Sequence, residues 1–212
     1  PVYLLPFALV GALELVVRGA RWRLLMLPSN PGIRLLDAFR LETAGLALNN
    51  ILPMRLGELV RATFAARLFK IPLLTVLATI LVERLVDVIV LFLMFVAAAR
   101  LGGITGGFLD YNGLLWALFA GVAAGIAALI FADELVSHVW FSGFFARFPR
   151  VRALFERVAM GVKGFHSFKS GALILLLAAL QWLLDAVNFV LLGFAFGLSG
   201  VIDIYKGVAL IF

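Results

Sequence analysis

Thr43-Ala44-Gly45-Leu46-Ala47-Leu48-Asn49-Asn50-Ile51-Leu52-Pro53-Met54 is the stretch on which the fold turns. It is apolar but only 12 residues long. A helix needs about 20 residues to cross a hydrocarbon core ~30 Å thick. The window carries two adjacent amides, Asn49 and Asn50, and closes on Pro53. A proline removes a backbone donor and pushes the residue before it, Leu52, out of helical geometry. The next stretch, Arg55 to Leu68, reads as an amphipathic helix. Arg55, Glu58, Arg61 and Ala65 lie on or near one face, with Leu56, Leu59, Val60 and Phe64 largely elsewhere. The expectation for about 35–70 is a helix, a break and a second helix, entering the membrane from one side and returning to it. Irregular backbone at that depth is tolerated only where protein buries it or a wet cavity borders it.

The rest of the chain agrees with a membrane setting. Of its 212 residues, 64% are hydrophobic and 14% charged, and the mean hydropathy is +1.12. A soluble domain keeps about a quarter of its residues charged to cover its surface. The length suffices for about six crossing elements of ~20 residues. There is no cysteine, so neither a disulfide framework nor a thiolate metal site is expected, and His138 and His166 complete no metal motif. No metal or other cofactor is expected. The net charge of +6 reads as topology signals and contacts to anionic lipid, not as a nucleic-acid surface.

Upstream, Pro1 to Val17 is apolar and runs into Arg18-Gly19-Ala20-Arg21-Trp22-Arg23, read as a basic and aromatic stop at a cytoplasmic membrane edge. Ser29-Asn30-Pro31-Gly32 is a turn. Downstream, Pro72 opens a long apolar helix to about Ala99, holding Glu83, Arg84 and Asp87. Glu83 lies 11 residues past Pro72, roughly 17 Å along the axis and so near mid-depth. Leu101 to Gly113 reads as a loop, Leu114 to Phe131 as a span, and Gly171 to Gly197 as another span carrying Trp182 and Asp185. Between them, residues 141–169 interleave phenylalanines with Arg147, Arg150, Arg152, Arg157, Lys163 and Lys169. That composition suits a segment in the headgroup plane, anchoring the chain or binding anionic lipid. With a re-entrant element, the outer loops hold only Arg100 and Lys206 of the 18 basic residues. The positive-inside rule fits that layout, with the basic loops cytoplasmic. The chain opens without an initiator Met and stops within an apolar run, so we read it as one transmembrane domain, 1–212, excerpted from a longer protein.

Charge at mid-membrane is the main functional signal. A central Asp, Glu, Arg or Lys costs about 2.5–3.5 kcal/mol on insertion scales, so such groups pair and face the interior or water. There are two sets, Arg55/Glu58/Arg61 and Glu83/Arg84/Asp87, with Asn49 and Asn50 beside the first. Glu83 and Asp87 share a helix face and need a cation nearby. Either these groups form a closed ion-pair network that only holds the elements together, or they contact a substrate where the helix breaks, as transporters arrange it. Glu14 and Arg18, four apart, read as a local pair. Asp185 is either a third partner for the network or a residue snorkelling to an interface.

The run Asn49-Asn50-Ile51-Leu52-Pro53-Met54-Arg55-Leu56-Gly57-Glu58-Leu59-Val60-Arg61, followed by Val82-Glu83-Arg84-Leu85-Val86-Asp87, resembles the signature of the lysylphosphatidylglycerol synthase transmembrane-region family, also called the flippase-like domain family. Arg21-Trp22-Arg23 and Trp182 also fit. The resemblance implies an all-α polytopic bundle with a re-entrant broken helix, forming the first part of an inverted-repeat architecture. A second re-entrant element would then follow Phe212. It further implies a domain in a prokaryotic plasma (inner) membrane that moves or presents lipids with aminoacylated, glycosylated or polyprenyl-linked head groups. The soluble aminoacyl-transfer domain of some members is absent here, so the chain is expected not to be an enzyme.

The leading expectation is a lipid flippase-like transporter. Arg55 and Arg61 would receive a phosphate, bidentate recognition favouring Arg over Lys. Glu58, Glu83 and Asp87 would balance them or meet a cationic head group, with Arg84 beside them. Asn49 and Asn50 would give neutral hydrogen bonds, Pro53 the break, and Gly57 close backbone approach. Trp182 and Asp185 stand as secondary candidates. No G-x-x-x-x-G-K-[ST] pattern occurs, so transport would be passive, gradient-driven or partner-dependent. The expected partners are membrane lipids, with a transferase and a second copy of the chain left open. The alternative reading is a scaffold subunit presenting lipid to a partner transferase.

Overall fold

The computed structural model describes residues 2–101, 168–198 and 204–211, with a few isolated positions between 113 and 147. Among these residues every regular element is helical: α1 (Leu4–Met26), α2 (Leu35–Ile51), a single 3₁₀ turn (Pro53–Arg55), α3 (Leu56–Phe69), α4 (Leu73–Leu101), α5 (Phe168–Ala195) and α6 (Ile204–Ile211).

The break falls where Pro53 demands it. Leu52 is extended (φ −93°, ψ 140°), as the residue before a proline should be, and Met54 takes the left-handed region (φ 56°). The two helices fold back on each other across two glycines. A Cβ on Gly57 would stand 2.6 Å from Asn49 Oδ1 and 2.7 Å from the Asn49 nitrogen; one on Gly45 would lie 3.2 Å from Arg61 Cβ. No larger residue fits such a crossing without displacing backbone. The open ends of the hairpin meet the same end of α1. Asn30 Nδ2 donates to the Phe69 carbonyl at 3.1 Å, and Trp22, Met26, Ile33, Ile71 and Val76 share one buried cluster. Lys70 closes α3 in the left-handed region (φ 55°), with the Ile71 amide bonded back to Ala66 at 3.1 Å, the Schellman arrangement.

The amphipathicity is inverted relative to a water-soluble bundle. On α3 the buried residues are Gly57, Arg61, Ala62 and Ala65, while Leu59, Phe64 and Leu68 are exposed. On α1, Leu4, Leu5, Leu9 and Leu13 are exposed and Arg18 and Arg21 are buried. Charges inside and leucines outside suit hydrocarbon as solvent. Lys169–Ala195 is long and apolar enough to cross a membrane by length and composition. Helices α1 (23 residues) and α4 (29 residues) match it in length but carry interior charge.

One expectation is corrected here. Arg18 to Arg23 does not end the first helix at a membrane edge, because α1 continues through it to Met26 and buries Arg18 and Arg21. Both arginines are held by carboxylates of other helices, so they act as interior charges and not as headgroup anchors. Of that run only Arg23 serves the helix end, its Nε donating to the Ile33 carbonyl at 2.7 Å. Helix α5 runs antiparallel to α1: Tyr3 meets Phe194 edge-on at 6.0 Å, and Leu25 packs with Ile174 and Ala178. Within the expected span 114–131, Trp116 and Phe119 pack on Phe92 of α4, at 5.5 and 5.1 Å between ring centroids. Arg147 is helical and exposed. Arg150, Arg152, Arg157 and Lys163, and with them most of the segment 141–169, lie outside the described residues, while its last two residues, Phe168 and Lys169, open α5.

Candidate functional site

The interior charges are ordered along a single line. Glu14, Arg18, Glu42, Arg61, Glu83, Arg21, Asp87, Arg84 and Glu58 form a chain in which each residue is ion-paired with the next and the sign alternates throughout. It draws on four helices, α1 to α4, and so ties the hairpin to the two long helices beside it.

Each helix contributes through its periodicity. Glu14, Arg18 and Arg21 recur on one face of α1 at helical spacing, and Glu83 and Asp87 do so on α4. At the centre, Arg21 uses both ends of its guanidinium. Nη2 donates to Glu83 Oε1 at 2.8 Å and Nη1 to Asp87 Oδ1 at 2.5 Å. The second Glu83 oxygen accepts from Arg61 Nη2 at 2.9 Å, and Arg61 pairs with Glu42 in turn. Trp22 lies beneath the Arg61 guanidinium, 4.7 Å from ring centroid to Cζ, and its own indole donates to Thr79 Oγ1 at 3.3 Å. Charge-assisted hydrogen bonds of this length are the strong ones, and water is excluded from them.

Toward the break the chain opens. Arg84 Nη1 donates to Asp87 Oδ2 at 3.2 Å, and Arg84 Nε is paired with Glu58 at 3.2 Å. The side chains of Arg84 and Glu58 are 28% and 24% exposed, against 0% for both Arg21 and Glu83. A small polar cavity of about 10 Å³, lined by Glu42, Asn49, Glu58, Arg61 and Arg84 among others, adjoins this end; that is room for about one water. Across the hairpin runs a larger apolar groove of about 300 Å³ between α2 and α3, with Arg40, Leu41, Leu48, Val60 and Phe64 in its walls.

Of the residues singled out from the sequence, the structure brings Glu58, Arg61, Glu83, Arg84 and Asp87 into one network. Gly57 is the crossing point of the hairpin, and Asn49 sits over it with its Oδ1 buried and unpartnered. Asn50 is exposed on α2, and Pro53 sits exposed at the tip. Arg55 completes the 3₁₀ turn, and its side chain lies outside the described residues. Trp182 joins the network, its Nε1 donating to Asp87 Oδ1 at 3.1 Å. Asp185 has no hydrogen bond or ion pair among the described residues. Glu14 and Arg18 form the local pair expected of them, at 3.4 Å.

Four members were not foreseen as site residues: Glu14, Arg18, Arg21 and Glu42. The signal for the arginines was present, since residues 14, 18 and 21 share a helix face while Arg23 does not. Glu42 shares its face with Gly45 and Asn49 by the same spacing. Outside the membrane-facing core, Arg34 is held by two bonds to Asp37, at 2.9 and 3.3 Å. They keep its guanidinium above its ordinary pKa.

The family model of the lysylphosphatidylglycerol synthase TM region matches residues 1–211. The chain belongs to this family. Membership and the buried charge line together make it a helical membrane domain tied to lipid synthesis or flipping. No curated protein and no solved structure matches the chain. In this member of the lysylphosphatidylglycerol synthase TM-region family, the charge line is most open at Glu58 and Arg84, beside the break at Pro53.

Proposed function

We propose that the domain binds lipid head groups at the broken hairpin and translocates them across the bilayer, without catalysing a reaction on them. The observation that carries this reading is the gradient of exposure along the charge line, closed at Arg21 and Glu83 and open at Glu58 and Arg84. The open end adjoins a polar cavity and an apolar groove, the two environments that a head group and its acyl chain require. Arg84, together with Arg55 and Arg61, would receive the phosphate. Arg61 already holds two carboxylates, so it would exchange one of them for the ligand. Glu58, Glu83 and Asp87 would balance the arginines or meet a cationic head group. Asn49, with an unpartnered buried oxygen, would accept from a donor on the head group, and Asn50 would offer neutral hydrogen bonds at the break.

The hairpin is read as re-entrant because both its open ends meet the same end of α1. That end of the bundle carries exposed Arg34, Arg67 and Lys70, with Lys169 at the matching end of α5. By the positive-inside rule it would be cytoplasmic in a prokaryotic plasma membrane, with Arg147 and its neighbours at the headgroup level. The domain would then be one part of an inverted repeat, and its partners would be membrane lipids. The second reading, a scaffold presenting lipid to a transferase, is favoured by the complete pairing at the centre of the charge line.

The test is transbilayer movement of a labelled anionic phospholipid in proteoliposomes, using the full-length protein beside Arg55→Ala and Glu83→Gln. Movement that both variants lose, while keeping their size-exclusion profile, supports translocation. No movement in any of them, with copurified lipid retained, supports the scaffold.

A further inference from the structure

The far end of the charge line has an excess of acid. Glu14 ends it and has Arg18 as its sole ion-pair partner among the described residues, at 3.4 Å. Arg18 is shared, since its Nε also pairs with Glu42 at 3.4 Å. Asp185, on α5, comes to the same level of the bundle, because the antiparallel register that sets Asn188 against Gly11 and Ala178 beside Leu25 brings it opposite Glu14. Two carboxylates therefore share one guanidinium with a third at the same level, and among the described residues Glu42 alone of the three has a second cation, Arg61.

The seam between α1 and α5 adds an independent observation. Ile174, Ala178, Gln181, Asp185 and Asn188 recur on one stripe of α5 at helical spacing. The stripe faces α1, for Ile174 and Ala178 pack on Leu25, and Asn188 Nδ2 would lie 3.6 Å from a Cβ on Gly11. Two amides on this stripe are nine-tenths buried or more, Gln181 at 1% exposure and Asn188 at 8%. The carbonyl oxygen of each lacks a hydrogen-bond partner. Two buried acceptor oxygens of this seam therefore stand without a donor.

Among the described side chains, the other elements around Asp185 supply no further cation. From α4, Asp87 reaches the neighbouring Trp182 and is itself an acid, while Arg84 is spent on Asp87 and Glu58. From α6, Gly207 lies against Ala186 and Val190, and the side chain of its neighbour Lys206 lies outside the described residues. Two carboxylates sharing one cation in a low-dielectric seam are relieved when one of them is neutralised. A protonated carboxyl also carries the O–H donor that a buried amide oxygen needs.

We propose that Glu14 and Asp185 form a proton-binding site in the α1–α5 seam, taking up and releasing one proton between them, with the oxygens of Gln181 and Asn188 as acceptors for the protonated form. Through Arg18 and Glu42 the site is joined to Arg61, so its charge state biases the lipid-facing end of the same line. That second clause rests on the translocation reading and would make a proton gradient the driving force. Proton binding itself does not depend on it. Intramembrane acid pairs are the usual material of proton relays.

The experiment is infrared difference spectroscopy of the full-length protein in lipid nanodiscs, titrated from about pH 9 to pH 5, a range in which an ordinary exposed carboxylate stays charged until the acid end. A protonated-carboxyl band amounting to one proton per chain, shifted in heavy water, is expected. It should be lost in both Glu14→Gln and Asp185→Asn and kept in Glu14→Asp, which guards against loss through misfolding. The absence of the band, or its persistence in both variants, would overturn the site. A band abolished when sodium replaces choline at fixed pH would assign the seam to a metal cation and likewise overturn it. Lipid movement in proteoliposomes, measured separately with and without a pH gradient, decides the translocation reading: the band can stand while that reading fails.

Discussion

The middle of the charge line and its Glu58 end are built from the same residue types and differ in what surrounds them. In the middle, Arg21, Glu83, Arg61 and Glu42 are sealed by Trp22, Thr79 and the crossing helices, and each guanidinium pairs with two carboxylates of neighbouring helices. At the end, Arg84 and Glu58 make a single contact with each other beside a break in the backbone. The same chemistry therefore serves two purposes. Sealed pairs fix which helices lie together, and a pair open to a cavity can exchange its partner for a ligand. Removing one member of a sealed pair leaves a buried charge uncompensated, whereas loosening an open pair lets water or lipid compensate it.

The largest effect is expected at the sealed centre. Arg21→Met leaves Glu83 with Arg61 and Asp87 with Arg84 as their remaining cations, and a loss of about 3–5 kcal/mol is expected for one broken member of a buried pair. Resistance of the purified protein to thermal unfolding should fall sharply. An unchanged melting temperature would remove the distinction between the two regions. Gly57→Ala comes next: its methyl would press on Asn49 at the hairpin crossing, and overpacking of this kind costs about 1–3 kcal/mol. The same unfolding assay reads it, and a neutral result would mean the hairpin can part without cost. Glu58→Gln should cost about 1 kcal/mol or less, as for a partly exposed ion pair, yet slow lipid movement. A fall in stability as large as that of Arg21→Met would make the open end structural. The smallest effect is expected at Asn50, exposed on α2. Asn50→Ala should leave folding as it is and lower lipid movement less than Asn49→Ala does, and the reverse ranking would place the ligand outside the hairpin.

Much of this arrangement could be read from the sequence because proline, glycine and charge act locally. The short apolar window closed by Pro53 gave the broken helix, and the spacing of Glu83 and Asp87 gave their shared face. The partner of those two carboxylates was harder to find. Arg21 is 62 residues from Glu83, and a basic-aromatic triplet reads equally well as a membrane edge. Sequence spacing tells which residues share a helix face, but not whether the helix ends nearby or continues. Here α1 continues past Arg23, and that turned two apparent anchors into the centre of the network. Glu42 was obscured for the same reason, since a charge flanking an apolar window looks like its boundary. The apolar-out pattern of α3 explains why its amphipathic face reads so clearly while its environment does not. Periodicity gives the face, and only packing tells which solvent it meets.

The most direct measurement is transbilayer movement of a labelled anionic phospholipid by the full-length protein carrying Arg84→Gln, with thermal unfolding recorded on the same preparation. The account predicts that lipid movement is lost while the melting temperature stays close to that of the wild type. Movement at the wild-type rate in a folded Arg84→Gln protein would contradict it, and would leave the charge line as scaffolding alone.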